Sequence, residues 1–433
     1  MKKAAVQLCV LLRSFLFIGF SIQILLGLAW LCINFTKVQA FAPVGGPLYP
    51  LLLQMFGGIP QILYLLQLSL AFAVGYVLIK PYGRQSKFWK IWYVLAFMTF
   101  PMALQCHLAL LPHSFVSSLV LLELVFCRGI FASEGGVSVA ELARAAACWF
   151  GLALLLPEYV WLGIIPPVLT VLLHLRKLCK HIRQLAYCII LIAAFGGMIA
   201  GLRSLASPEG KERNQNTFWF SMASRTAWPR LWENHIMWSE ELRAIVENVV
   251  WDTSCSPDNM ERIFRPALEQ AVGEDRAQEY YREIARVAWR LNKKQIVKQI
   301  AGDLLTYAAP SSVLQLQLSG KSYAFISGRN YEIMGMNHPG LTKYYVAYGC
   351  WWFFAAMGAT VVLILSGCVA GERLFSLSKL KFLAVVVIWS GVLVCFYTMR
   401  GAGIADYKYT IAAASLWSLP AFVAMGRREG ITV

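Results

Sequence analysis

Leu185–Arg203 reads LAYCIILIAAFGGMIAGLR, eighteen uncharged residues closed by one arginine. A helix needs about 17–25 predominantly apolar residues to cross the hydrocarbon core of a bilayer. The run therefore predicts a membrane span. Nine more runs read the same way. They are Ser14–Ile33, Ile59–Ile79, Ile91–Cys106, Ser114–Cys127, Ala143–Leu156, Tyr159–Leu175, Val346–Ala370, Phe382–Met399 and Thr410–Met425. Spans three to six are short, and Pro101, Pro112, Pro157 and Pro166 mark tilts, tight hairpins or re-entrant bends there. Val38-Gln39-Ala40 resembles a signal-peptide cleavage site. The apolar run before it is longer than a usual signal core, so the first span is expected to stay as an anchor.

Composition agrees. Of 433 residues, 58% are hydrophobic and 14% charged, with a mean hydropathy of +0.57. A soluble chain carries about 25% charged residues. The net charge of +16 does not point to nucleic acid, because of where the charges sit. Residues Ala206–Tyr345 hold 16 of the 23 acids and 17 Lys and Arg, and are nearly neutral. The apolar remainder holds 22 Lys and Arg against 7 acids. With the N-terminus inside, 18 of those 22 cations fall in inner loops or tails. Only Lys37, Arg203, Arg400 and Lys408 fall outside. The positive-inside rule therefore predicts cytoplasmic termini and an outward-facing central domain. The eleven cysteines are scattered, without CxxC or Cys/His spacing, and read as small packing residues.

Residues 206–345 interleave charges with Trp and Tyr in helical patterns. Ser256-Pro257 precedes a stripe of Met260, Ile263, Phe264, Ala267, Leu268 and Ala271, Ser239 caps Glu240–Val250, and Glu274–Ala309 reads as one or two longer amphipathic helices. The expected fold is an all-α polytopic membrane protein of about ten transmembrane helices. Residues 1–205 form an N-terminal membrane domain of about seven spans. Residues 206–345 form a mainly helical extracytoplasmic domain, and 346–433 hold about three final spans.

Three segments carry a family likeness. Gly46-Pro47-Leu48-Tyr49-Pro50-Leu51-Leu52-Leu53 leads into span two. Leu155-Leu156-Pro157-Glu158-Tyr159 joins two short spans. Asp406-Tyr407-Lys408-Tyr409 precedes the final span. In order and topology the chain resembles the GT-C class of membrane glycosyltransferases, which includes protein O-mannosyltransferases and aminoarabinose transferases. The outer domain, ending in Ser327-Gly328-Arg329-Asn330-Tyr331 and Leu341-Thr342-Lys343-Tyr344-Tyr345, resembles uncharacterised bacterial members of this group. The resemblance implies a polyprenyl-phosphate-linked sugar donor at the outer leaflet of the bacterial cytoplasmic membrane, and transfer to an envelope glycan or lipid. It also implies an Asp or Asp-Glu pair in the first outer loop, near the attacked sugar. Residues 34–58 contain no Asp or Glu. Either another acid has that role, or the chemistry is absent.

Glu158, at an outer hairpin apex, is the best substitute base by location, against the plainer reading of a solvated turn acid. Glu123 lies in the middle of span four, where a carboxyl is costly. It reads as a proton-relay or substrate site, or as a hydrogen-bonded packing residue. His107 and His113 flank the turn between spans three and four. They are candidate substrate contacts, but their spacing suits no metal pair. Arg400, Asp406, Lys408 and Tyr409 share the last outer loop. Its two cations suit a lipid phosphate or snorkel as interfacial anchors. No protein metal ligands, organic cofactor or nucleic-acid partner are read from the residues, and dependence on a divalent metal stays open; the expected partners are membrane lipids and the lipid-linked sugar. A scaffold that kept the fold and lost the base is the rival reading. A transporter is a third, but the chain shows no internal repeat or matched pair of interrupted helices.

Overall fold

The computed structural model describes residues 17–25, 27–28, 48–56, 59–79, 86–94, 112–132, 138–156, 158–175, 182–205, 219–220, 223, 235–250, 264–308, 354–355, 357–362, 364–365 and 377–399. Among them there is no strand. The protein is all-α over these residues. They divide into two compact units, one of residues 1–204, 308–393 and 407–433, the other of 205–307 and 394–406.

In the first unit the chain forms α1 (Leu48–Phe56), α2 (Pro60–Ile79), α3 (Ser86–Tyr93), α4 (Pro112–Ala132), α5 (Val139–Leu155), α6 (Tyr159–Leu162), α7 (Ile165–Leu173), α8 (Ile182–Leu205) and, as far as Leu393, α12 (Leu377–Met399), the last numbered after three helices of the second unit. Among the described residues, two helices are long and apolar enough to cross a membrane, over Pro112–Phe131 and Arg183–Leu202. Gln61–Val77 and Tyr159–Leu173 are shorter apolar segments. The two long helices differ in surroundings. Of the first, 72% is buried inside the protein; of the second, 11%. Helix α8 turns Tyr187, Ile189, Ile190, Met198 and Leu202 outward. In water each such side chain forgoes about 1.5–3 kcal/mol of burial, so this surface calls for an apolar solvent or cover.

Span four is longer than its expected range of Ser114–Cys127. Helix α4 runs 21 residues, from Pro112 in its first turn to Ala132. Arg128 does not end it, because the guanidinium lies over the Phe382 ring at 5.9 Å and the helix continues beneath that cover. Span five starts earlier than Ala143, because the Ser138 side chain accepts from the Glu141 amide and caps α5. The segment Tyr159–Leu175 is not one helix. Gly163-Ile164 forms a turn, and Pro166 and Pro167 restart the chain in the first turn of α7, where a missing N–H costs nothing.

The α4–α5 hairpin is the centre of this unit, and α2 and α7 pack on α4. Buried polar tips join α2 and α3 to each other and to the segments around Gln23 and Thr360. Tyr64 donates to the Gln23 carbonyl at 2.6 Å, and Trp92 to the Thr360 hydroxyl at 2.9 Å. Tyr93 donates to the Ala71 carbonyl at 2.5 Å. Gly75 makes this last contact possible, since a Cβ there would lie 2.4 Å from the Tyr93 ring.

The second unit contains α9 (Glu240–Val250), α10 (Arg265–Val272) and α11 (Glu274–Ala308). Phe220, Trp238, Leu242, Val246, Phe264, Leu268, Tyr281 and Ile284 form its core. The expected stripe is therefore packing surface, with one correction: Ala271 is exposed, because α10 ends one residue later at Val272 and the chain turns at Gly273, with φ 83°. Met260 and Ile263 lie outside the described residues. Ser239 caps α9 as expected, its hydroxyl accepting from the Leu242 amide at 3.4 Å. Glu283 of α11 completes the cap, accepting from the Ser239 amide at 2.5 Å and its hydroxyl at 3.1 Å. Helix α11 is continuous except at Asn292, where φ −122° and ψ 26° kink it.

Candidate functional site

Six residues separate α4 from α5, and the two helices pack side by side, so they form an antiparallel pair. That pairing sorts the candidate residues by height. His113, in the first turn of α4, and Glu158, just past the end of α5, come to the same end of the hairpin. His113 is buried and Glu158 is half-buried.

The turn that carries Glu158 is held from two sides. Its carbonyl accepts the Leu162 amide at 3.2 Å, opening α6. The Trp149 indole donates to the Val160 carbonyl at 3.1 Å, and the Trp389 indole of α12 donates to the Leu162 carbonyl at 3.0 Å. These are carbonyls that a one-turn helix leaves without an intrahelical partner. Gly163 lets Trp149 approach, since a Cβ there would lie 2.7 Å from the indole. Beside Glu158, Trp161 is 75% exposed. A carboxylate on a fixed turn next to an exposed indole can accept a proton from a hydroxyl while the ring face covers an apolar or sugar surface.

Glu123 is in neither group. It lies in the middle of α4 with no exposed surface, and among the described residues neither carboxyl oxygen has a hydrogen-bond partner. The thiols of Cys127 and Cys148 lie within its electrostatic reach, and the Cys127 thiol is hydrogen-bonded to Thr170 of α7. The two cysteines that read as packing residues thus flank the buried acid. Leucine in place of Glu123 would bring similar volume without a polar group to desolvate. Glu123→Leu is therefore expected to leave the stability of the full chain unchanged, or to raise it by about 1–3 kcal/mol. Detergent-solubilised protein unfolded with SDS measures this, and a loss above about 2 kcal/mol would mean that the carboxyl has a stabilising partner.

No family model, curated protein or solved structure matches the chain.

The opposite end of the bundle carries Arg128, Lys379 and Lys381, which read in the sequence only as inner-loop charges, and His174, which falls inside the expected sixth span. Arg128, His174 and Lys379 are each at least 92% buried there, and Lys381 is half-buried. His174 Nδ1 lies 2.8 Å from the Thr170 carbonyl, and the His174 ring is 4.5 Å from Phe131. Phe131 in turn lies 5.9 Å from Phe382. The signal for this group was the spacing of Lys379 and Phe382, one helical turn apart on the face of α12 that also buries Trp389. Its partners come from helices over 200 residues away, so no local pattern joins them.

His107, Arg400, Asp406, Lys408 and Tyr409 lie outside the described residues. Among the described residues, no group of His, Cys, Asp and Glu could hold a metal ion.

Proposed function

We propose that the protein is a polytopic integral membrane protein of about ten spans. It binds a polyprenyl-phosphate-linked sugar at the His113–Glu158 end of its bundle and transfers the sugar to an envelope acceptor. The observation that carries this reading is the opposite chemistry of the two ends of the α4–α5 hairpin. One end presents a half-buried acid, an imidazole and an exposed indole. The other gathers Arg128, His174, Lys379 and Lys381. A bundle in a bilayer with its basic end in the cytoplasm would place Glu158 at the outer surface, where lipid-linked sugars are used.

In the transfer, Glu158 takes the proton of an acceptor hydroxyl. The acceptor oxygen attacks the anomeric carbon, and the bond from that carbon to the phosphate oxygen breaks. The electron pair leaves with the polyprenyl phosphate, and the proton stays on Glu158 until solvent removes it. Arg400 and Lys408 are assigned to the leaving phosphate from the sequence alone. The acid-free loop of residues 34–58 favours a second reading, a scaffold that binds the lipid-linked sugar without cleaving it.

The test is release of polyprenyl phosphate from polyprenyl-phosphate mannose and polyprenyl-phosphate aminoarabinose, added to the purified full chain with a lipid A or glycan acceptor. Release above the rate of protein-free vesicles supports transfer. Donor binding without release leaves the scaffold reading, and neither binding nor release removes both.

A further inference from the structure

We infer that the middle of α11 is a docking face for an anionic lipid surface. Arg286, Arg290, Lys293, Lys294 and Lys298 meet its phosphate head groups, and Trp289, Leu291 and Val297 enter the boundary of its acyl chains. The inference rests on the reading that the chain is held in a membrane, and not on glycosyl transfer.

Charge is segregated along α11. Its first stretch, Glu274–Tyr281, holds three acids and one arginine, and that arginine, Arg276, pairs with Glu241 of α9 at 2.5 Å. From Arg282 to Lys298 there are six cations and one acid, Glu283. Glu283 is taken up by the cap of α9, where it accepts from the Ser239 amide and hydroxyl. Arg282 lies over the Trp219 ring at 4.9 Å. The other five cations are exposed, and among the described residues none of them has an ion pair or a hydrogen bond.

The helix dipole does not account for these cations. Its attraction for positive charge is confined to the last turn, and α11 runs on to Ala308, well past Lys298. Asn292 breaks the helical geometry, so Lys293 and Lys294 open a new helical segment, the end at which the dipole disfavours a cation. Ion pairs along the helix do not account for them either, since the one acid in the stretch is engaged with Ser239. The cations repel one another and are balanced by nothing on their own helix, which favours an anionic partner.

The apolar side chains decide which anion. Tyr281, Ile284, Ala285 and Ala288 make up the buried face of this stretch. Trp289, Leu291 and Val297 are 41%, 44% and 50% exposed among the cations. Arg286, Trp289 and Arg290, three and four residues apart, share one face of the helix. At a bilayer surface an indole sits between head groups and acyl chains, and the stems of Lys and Arg lie along the same apolar layer with their charges at the phosphates. Nucleic acid would meet the cations and leave Leu291 and Val297 without apolar cover. A basic amphipathic helix lies on lipid in this way. In the membrane reading the unit is also tethered to a bilayer, because the apolar helix α8 ends at Leu205, where the unit begins, and the tether keeps a lipid surface at high effective concentration.

The experiment places the photo-crosslinker p-benzoylphenylalanine at Trp289 in the full chain, reconstituted in vesicles of phosphatidylcholine alone or mixed with phosphatidylglycerol. Lipid adducts are read by mass spectrometry. The adduct is expected to be at least about fivefold more abundant with phosphatidylglycerol, and Arg286→Gln with Lys293→Gln is expected to lower it by about tenfold or more. About 1 M salt, which cuts the Debye length to about 3 Å, is expected to lower it to a similar extent in the chain without these two substitutions, so the result does not depend on the double variant folding. The crosslinker at Glu279, exposed on the acidic stretch of the same helix, is expected to show no preference between the lipids. Equal adducts in the two lipids at Trp289 overturn the inference, as does an adduct that neither salt nor the double substitution lowers. An equal preference at Glu279 overturns the assignment to this face. A labelled oligonucleotide that binds the chain in phosphatidylcholine vesicles, with no lipid adduct at Trp289, would make this a nucleic-acid surface and overturn the inference. Alkaline carbonate extraction of the same vesicles reads the spans separately. A chain that is extracted yet forms the adduct would sink the ten-span reading and leave this face standing, and a retained chain without the adduct would sink this inference alone.

Discussion

Glu158→Gln is expected to slow release of polyprenyl phosphate by about 10²–10⁴-fold, the usual contribution of a positioned general base. At 1.36 kcal/mol per factor of ten, that is roughly 3–5 kcal/mol of transition-state stabilisation. Glutamine keeps the size of the side chain and its carbonyl acceptor, but takes no proton from a hydroxyl near neutral pH. The substitution leaves the turn itself in place. The turn is held through backbone carbonyls, with Trp149 on Val160 at 3.1 Å, Trp389 on Leu162 at 3.0 Å, and the Leu162 amide on the Glu158 carbonyl at 3.2 Å. None of these bonds uses the Glu158 side chain. Donor affinity is therefore expected to change little while turnover falls, and Glu158→Asp is expected to keep part of the rate. Steady-state release assays on vesicles separate the two parameters. If Glu158→Gln lowers donor affinity and leaves turnover alone, Glu158 is a binding residue and the base lies elsewhere.

The largest structural effect is expected from Trp389→Ala, about 3–5 kcal/mol of lost stability. Trp389 has no exposed surface and belongs to the buried face of α12 with Phe382, Val385, Val386 and Leu393. Two losses add. Truncation opens a cavity the size of an indole, and the Leu162 carbonyl loses its donor at the end of a one-turn helix. Trp389→Phe fills most of the volume and removes mainly the hydrogen bond, so it is expected to cost about 1–3 kcal/mol. SDS unfolding of the full chain, followed by helicity, reads both. Equal losses in the two variants would mean that the hydrogen bond carries the whole effect. A loss below about 1 kcal/mol in Trp389→Ala would mean that α12 does not depend on α6. Trp389→Ala is also expected to slow sugar release, because the same bond positions the turn beside Glu158.

Much of the helix content was legible along the chain. Glu240–Val250 was readable from Ser239, and the core of the second unit from Phe264 and Leu268, because caps and 3.6-residue periodicity are local properties. Helix ends were less legible where a distant side chain decided them. Arg128 read as the end of span four, yet Phe382, 254 residues away, covers it and α4 runs on to Ala132. The candidate site divided in the same way. Glu158 was readable as a turn acid from the proline before it. Its placement at the same end as His113 was not, since that depends on the antiparallel α4–α5 pair. The last outer loop, with Arg400, Asp406, Lys408 and Tyr409, remains a reading of residues alone.

Local composition and period in the sequence by itself determined most of the helices, and the length and apolar character of runs such as Leu185–Arg203, which suffice to cross a membrane. Only the tertiary structure decided which polar groups share a place. It buried Glu123 beside Cys127 and Cys148, brought His113 and Glu158 to one end, and gathered Arg128, His174, Lys379 and Lys381 at the other. The reason is physical. Period and composition specify a helix and the face it buries, but several pairings bury an apolar face equally well. The choice among them rests on a few specific contacts, here the Trp149 and Trp389 indoles on the α6 turn and Arg128 over Phe382. Those contacts form between residues that no local pattern connects.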